Sequence, residues 1–202
     1  MQKPHKSIPT GCPELDSVDV MDLGFPLNRV SYVAGAPGVG KTTFVCHTIH
    51  ACINAGLHVY WADWENRQRY KAPERLTFAQ EPGHIDVIDA ANGPYDVLVL
   101  DGLQLLPGPS AAKVRTHLNT AARHGKTIIL TWNMRREVFD ISQDWLSIAG
   151  QVILLTRGGG EPKVYASVYR ESSGVSLPCF STEVGNLEWL GDYSFIKHQP
   201  CG

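Results

Sequence analysis

The chain has 202 residues, 43% of them hydrophobic and 19% charged, enough apolar material to bury one full core, so a single domain with short tails is expected. A formal net charge of −2 excludes a globally basic nucleic-acid coat and confines any nucleic-acid contact to a local patch. Five cysteines, an odd number without a C-x-x-C pair, argue against a disulfide framework and a zinc knuckle, and fit a reducing cytoplasm.

In chain order, residues 1–12 read as an N-terminal tail, 13–197 as one domain and 198–202 as a C-terminal tail. No apolar run approaches the roughly 20 residues of a membrane span, and the first residues lack a signal-peptide pattern, so a cytoplasmic protein without membrane contact is expected. Strands are predicted at residues 30–34, 58–62, 85–89, 97–100, 127–131 and 152–155. Helices are predicted from Lys41, with Val45, Ile49, Cys52 and Ile53 on one face, and over residues 110–124. Val138, Ile141, Trp145 and Ile148 recur at helical spacing and predict another helix. After "RGGGEPK" the pattern changes to "VYASVYRE", "SLPCFST" and "NLEWL", as expected of antiparallel strands at a sheet edge. The alternation of strands and helices predicts an α/β fold with a mainly parallel sheet.

Between the first long strand and its helix lies "GAPGVGKTT", residues 35–43. Gly35-x-x-x-x-Gly40-Lys41-Thr42 satisfies the phosphate-loop pattern, and strand before and helix after are the context it requires. Gly35, Ala36, Pro37, Gly38, Val39 and Gly40 supply backbone N–H groups that can wrap a β-phosphate, and the helix adds its positive end. Lys41 is a mobile cation for the β- and γ-phosphates, Thr42 a Mg2+ ligand, and Thr43 reaches the α-phosphate. A glycine turn without a ligand is the competing reading. Two strand ends offer carboxylates: "DVLVLDGLQLL" ends in Asp101, suited to Mg2+, and "HVYWADWENR" carries Asp63 and Glu65, where Glu65 could activate water. A turn residue and a solvated loop charge are the bland readings of Asp101 and Glu65.

Residues 8–190 resemble the RecA-type ATPase core shared by RecA and RadA recombinases, DnaB-type helicases and KaiC. "IPTGCPELDSV" is similar to the segment preceding that core, and "GFPLNRVSYVAGAPGVGKTT" to its entry into the phosphate loop. The resemblance implies a three-layer RecA-like phosphate-loop NTPase that uses ATP and Mg2+, with Glu65 as the catalytic glutamate and Asp101 in the second nucleotide motif. It implies that Asn133, in "ILTWNMRRE", stands at the γ-phosphate sensor, although Trp132-Asn133 replaces the usual polar pair. Arg135 and Arg136 then fall in a DNA-binding loop, and Arg170, in "VYASVYRESSG", in the place of a finger reaching a neighbouring subunit's γ-phosphate, without the full Lys-x-Arg arrangement. The expected function is that of a minimal ATPase acting on single-stranded DNA in recombination or annealing, as a homo-oligomer. A DnaB-like helicase motor, a KaiC-like regulatory ATPase with a protein partner, a small-molecule kinase and a non-catalytic filament protein are the alternatives. Arg67, Arg69 and Tyr70 are candidates to stack on adenine, with helix-surface residues as the blander reading. His47 and His50, spaced i, i+3, lack further ligands and are read as packing or solvent residues. Trp61 and Trp145 are read as core, Trp64 and Trp132 as near the site.

Overall fold

A computed structural model describes residues 7–16, 24–65, 74–134, 141–158, 164–170 and 180–185. In chain order these form β1 (Ser7–Ile8), α1 (Pro13–Asp16), β2 (Phe25–Pro26), β3 (Val30–Gly35), α2 (Lys41–Asn54), β4 (Val59–Asp63), β5 (Leu76–Gln80) and α3 (His84–Asn92). There follow β6 (Val97–Asp101), a 3-10 turn (Leu103–Leu105), α4 (Gly108–Arg123), β7 (Thr127–Asn133), α5 (Gln143–Leu146), β8 (Ala149–Arg157), β9 (Val164–Arg170) and β10 (Phe180–Gly185).

Eight of these strands make one sheet in the order β10-β9-β8-β3-β7-β6-β4-β5. The pairs from β8 to β5 are parallel, and β9 and β10 add on antiparallel. The expected α/β class and mainly parallel sheet are therefore present, with β9 and β10 as an antiparallel C-terminal edge; the third expected edge segment, residues 186–190, lies outside the described residues. Helices cover both faces, which explains why β3, β4 and β6 are buried at every position. Val33, Trp61, Val99 and Ile129 face α2 with Phe44, Val45, Ile49 and Cys52 in one cluster. Their neighbours Tyr32, Tyr60, Leu98 and Leu130 face α3 and α4 with Val87, Val114 and Leu118 in the other. The period-two alternation thus separates two cores rather than a core and a solvent face. Trp61 and Trp145 are buried, as expected of core residues. Cys12, Cys46 and Cys52 are buried, and burial pushes the Cys52 thiol up to about 12.

Three elements differ from expectation. Residues 85–89 belong to helix α3, not a strand: Val87, Ala90 and Ala91 are buried at helical spacing while Ile85 is 62% exposed. The Gly83 N–H donates to the Asp86 carboxylate at 2.7 Å and secures the helix start. The strand of this region is β5, less apolar because it lies at the sheet edge, with Phe78 packed edge-on against Trp61 at 5.0 Å. Of the helix expected over Val138, Ile141, Trp145 and Ile148, Val138 lies outside the described residues, and the described part is the short α5: Ser142 is extended (φ −59, ψ 149), so Ile141 is buried from outside the helix that carries Trp145. Residues 7–12 are not a tail. β1 pairs with β2, and Ile8, Thr10 and Cys12 are buried, with the Thr10 carbonyl accepting the Thr48 hydroxyl of α2 at 2.7 Å. Among the described residues no helix is long and apolar enough to cross a membrane.

Candidate functional site

Parallel strands bring their C-terminal residues to one edge of the sheet, and the residues in question are strand-terminal. β3 ends at Gly35, in register with Asn133 of β7 on one side and Leu155 of β8 on the other. Asp63 and Asp101 end β4 and β6 as a register pair. Between β3 and α2 the glycine loop exposes Ala36, Pro37 and Gly38 and tucks Val39 inward, its N–H donating to the Ala36 carbonyl at 3.2 Å. Gly40 caps α2 in the left-handed region at φ 109, a conformation a β-carbon would resist. Gly40 has no side chain with which to cap α2 and the first turn has no acidic residue, so among the described residues its N–H groups and positive end are open to an anion. Lys41 is 6% exposed; its Nζ donates to the Gly35 and Ala36 carbonyls at 3.1 and 2.9 Å.

Across the edge stands Asp101, 1% exposed. The Thr131 hydroxyl donates to its Oδ1 and itself accepts the Gly102 N–H at 2.9 Å. Oδ2 makes no hydrogen bond of normal geometry with a described residue. Burial raises the Asp101 carboxyl to about 6; Thr131 and the nearby Thr42 hydroxyl pull it down, and the Asp63 and Glu65 charges push it up. The orphaned oxygen beside Thr42 suits a hard cation completed by water or phosphate oxygens, as Mg2+ sites are. Among the described residues no three His, Cys, Asp or Glu side chains form a self-sufficient metal cluster.

The chain leaving β4 is stitched across to β6. The Trp64 N–H donates to the Asp101 carbonyl at 3.0 Å, the Trp64 indole to the Pro82 carbonyl at 2.9 Å, and the Glu65 N–H to Asp63 Oδ1 at 2.9 Å. Gly102, at φ +86, gives way to Glu65: a β-carbon there would stand 3.1 Å from Glu65 Cγ. So held, Glu65 Oε1 accepts the Asn133 Nδ2–H at 2.7 Å. Two residues far apart in sequence, expected as base and sensor, are in direct contact.

The sequence matches no protein-family model and no curated protein.

Lys41, Thr42, Asp101, Asp63, Glu65 and Asn133 thus share one edge of the sheet. Arg170 does not join them. It ends β9 opposite Gln151 of β8, six residues back from Arg157 and roughly 20 Å from the loop edge at about 3.3 Å per residue. Arg135, Arg136, Arg67, Arg69 and Tyr70 lie outside the described residues. His47 is half-buried with its pKa lowered, first by burial and then by His50, which is exposed and lies 3.2 Å from Asn54 Nδ2.

Sequence reasoning missed Thr131, Gly102 and Arg157. Thr131 reads as one more β-branched strand residue, and only a buried hydroxyl beside a carboxylate marks it. Arg157 ends β8, and its Nη2 donates to the Gly38 carbonyl at 2.9 Å. It lines a cleft of about 550 Å3 with residues 35–39, Met134 and residues 154–156. A second groove, about 580 Å3, lies beside Asn133 and is lined by residues 103–106, Ala111, Trp132 and Trp145.

Proposed function

We propose that the protein is a Mg2+-dependent ATPase of the RecA/RadA type that acts on single-stranded DNA in recombination or annealing. The observation that carries the reading is the convergence at one sheet edge of an uncapped helix N-terminus, Lys41, the Asp101–Thr42 neighbourhood and the Glu65–Asn133 pair.

In this reading the loop N–H groups and the first turn of α2 hold the β-phosphate. Lys41 exchanges its contacts with the Gly35 and Ala36 carbonyls for β- and γ-phosphate oxygens, a stronger charge-assisted pairing. Thr42 and Oδ2 of Asp101 would hold Mg2+. That ion, when bound, neutralises charge developing on the phosphate oxygens. Glu65 orients water and takes its proton, while its backbone stays anchored to Asp63. Asn133 donates to Glu65 before nucleotide binds and turns to the γ-phosphate afterwards, so that the base is freed when substrate is complete.

The DNA part of the reading rests on the resemblance and on the groove beside Asn133, where Leu105 is 58% exposed and Trp132 half-buried, a surface on which bases can stack. Steady-state ATP hydrolysis with and without single-stranded DNA is the test, with Lys41→Ala and Glu65→Gln as controls. DNA-stimulated turnover that both variants lose is expected. Equal rates with and without DNA would move the reading to a regulatory ATPase with a protein partner. Normal ATP affinity in Lys41→Ala would remove the phosphate-loop assignment itself.

A further inference from the structure

We propose that Arg157 is a positioning residue for the phosphate loop, acting through the Gly38 carbonyl; the inference rests on the ATP-binding reading above. Arg157 is the last residue of β8, and its backbone is held in the sheet by β9, two residues beyond the end of the β3 pairing. β8 pairs with β3 up to Gly35↔Leu155, and Arg157 itself pairs with Val164 of β9. A guanidinium rooted in the sheet therefore reaches the loop apex, where its Nη2 donates to the Gly38 carbonyl at 2.9 Å.

The apex needs such a hold. Ala36, Pro37 and Gly38 are exposed, and a β-carbon at Gly38 would meet nothing within 4 Å, so side-chain packing does not fix this part of the loop. A trans peptide is planar, and its C=O and N–H point in opposite directions. Fixing the Gly38 carbonyl outward toward Arg157 therefore fixes the adjoining Val39 N–H, which closes the turn onto the Ala36 carbonyl. Lys41 holds the Gly35 and Ala36 carbonyls from the other side. When Lys41 transfers to phosphate, the Arg157 bond is the one that keeps the loop mouth in shape. A brace of this kind acts on the N–H groups that take the β-phosphate, which ATP and ADP share.

The test is titration of the full-length protein with fluorescent ATP and ADP analogues in Mg2+, together with steady-state kinetics and thermal melting. The variants are Arg157→Ala, Arg157→Met, which keeps the aliphatic stem, and Arg157→Lys, which keeps a donor. ATP and ADP affinity are expected to fall by the same factor, roughly five-fold for an exposed charge-assisted bond, in the Ala and Met variants. Arg157→Lys should recover part of the loss, with kcat at saturating ATP changed by less than about two-fold and melting temperature unchanged. Weakened ATP binding with normal ADP binding would mean direct contact with the γ-phosphate and overturn the positioning role, as would unchanged affinity for both. Lys41→Ala separates the two levels: if it binds nucleotide normally, the ATP-binding reading fails, whereas its loss beside an unaffected Arg157 series sinks only this inference.

Discussion

Glu65 and Asn133 are in contact, and their proposed joint role is testable one residue at a time. Glu65→Gln and Asn133→Ala are each expected to reduce turnover while ATP still binds. Because the two side chains share a hydrogen bond at 2.7 Å, their effects should not add, with a coupling of about 1–3 kcal/mol in a double-mutant cycle on kcat. Additive losses would mean that Asn133 serves the γ-phosphate alone. Asp101 carries a pH signature of its own. Its carboxyl moves from 3.8 unfolded to about 6 folded, chiefly through burial, so the folded chain binds this proton more tightly than the unfolded one. The resulting stability is present below about pH 4 and is lost as pH rises through 6, at most about 3 kcal/mol for this group. Without nucleotide and Mg2+, Asp101→Asn should melt like the parent near pH 4 and above it at pH 7. A parallel pair of melting curves across that range would show that the buried charge costs nothing.

At the scale of elements, the site depends on register more than on any one contact. Asp63 lies beside Asp101 because β4 and β6 pair in parallel without a shift, and Asn133 beside Gly35 because β3 and β7 do. These registers are pinned by side chains of both cores, since a one-residue slip would exchange the faces. α4 contributes Leu118, fully buried in the core that also holds Leu98, Leu100 and Leu130. Leu118→Ala should cost about 2–5 kcal/mol in urea unfolding and leave the KM for ATP unchanged. A shift in KM would mean that strain in this core reaches the loop edge.

At the scale of the whole molecule, the proposed assembly is testable through the position of Arg170. It stands at the end of the sheet away from its own loop, so a finger role requires a second subunit. Arg170→Ala should leave ATP affinity intact and lower turnover of the assembled protein by at least about 10³-fold. Mixing it with Lys41→Ala, which keeps the finger but lacks the binding site, should restore part of the activity. Mixtures as inactive as their components would remove Arg170 from the mechanism.

The glycine loop, the lysine and threonine after it and the helix behind were legible in the sequence because they are local: loop, cap and first turn lie within a few residues, and each residue type has a backbone or chemical reason to be there. The buried parallel strands were legible for the same reason, as continuous apolar runs bounded by turn residues. α3 was not, because a short apolar run fits either period and only packing of Val87, Ala90 and Ala91 against the sheet chose the helical one. Nor were residues 7–12, whose polar appearance hides a strand pairing and the Thr10–Thr48 bond. The Glu65–Asn133 contact, the Thr131 hold on Asp101 and the Arg157 bond to Gly38 were likewise decided by tertiary structure. Each joins residues carried by different strands or by the loops that leave them, and their proximity exists only once sheet order and register are set.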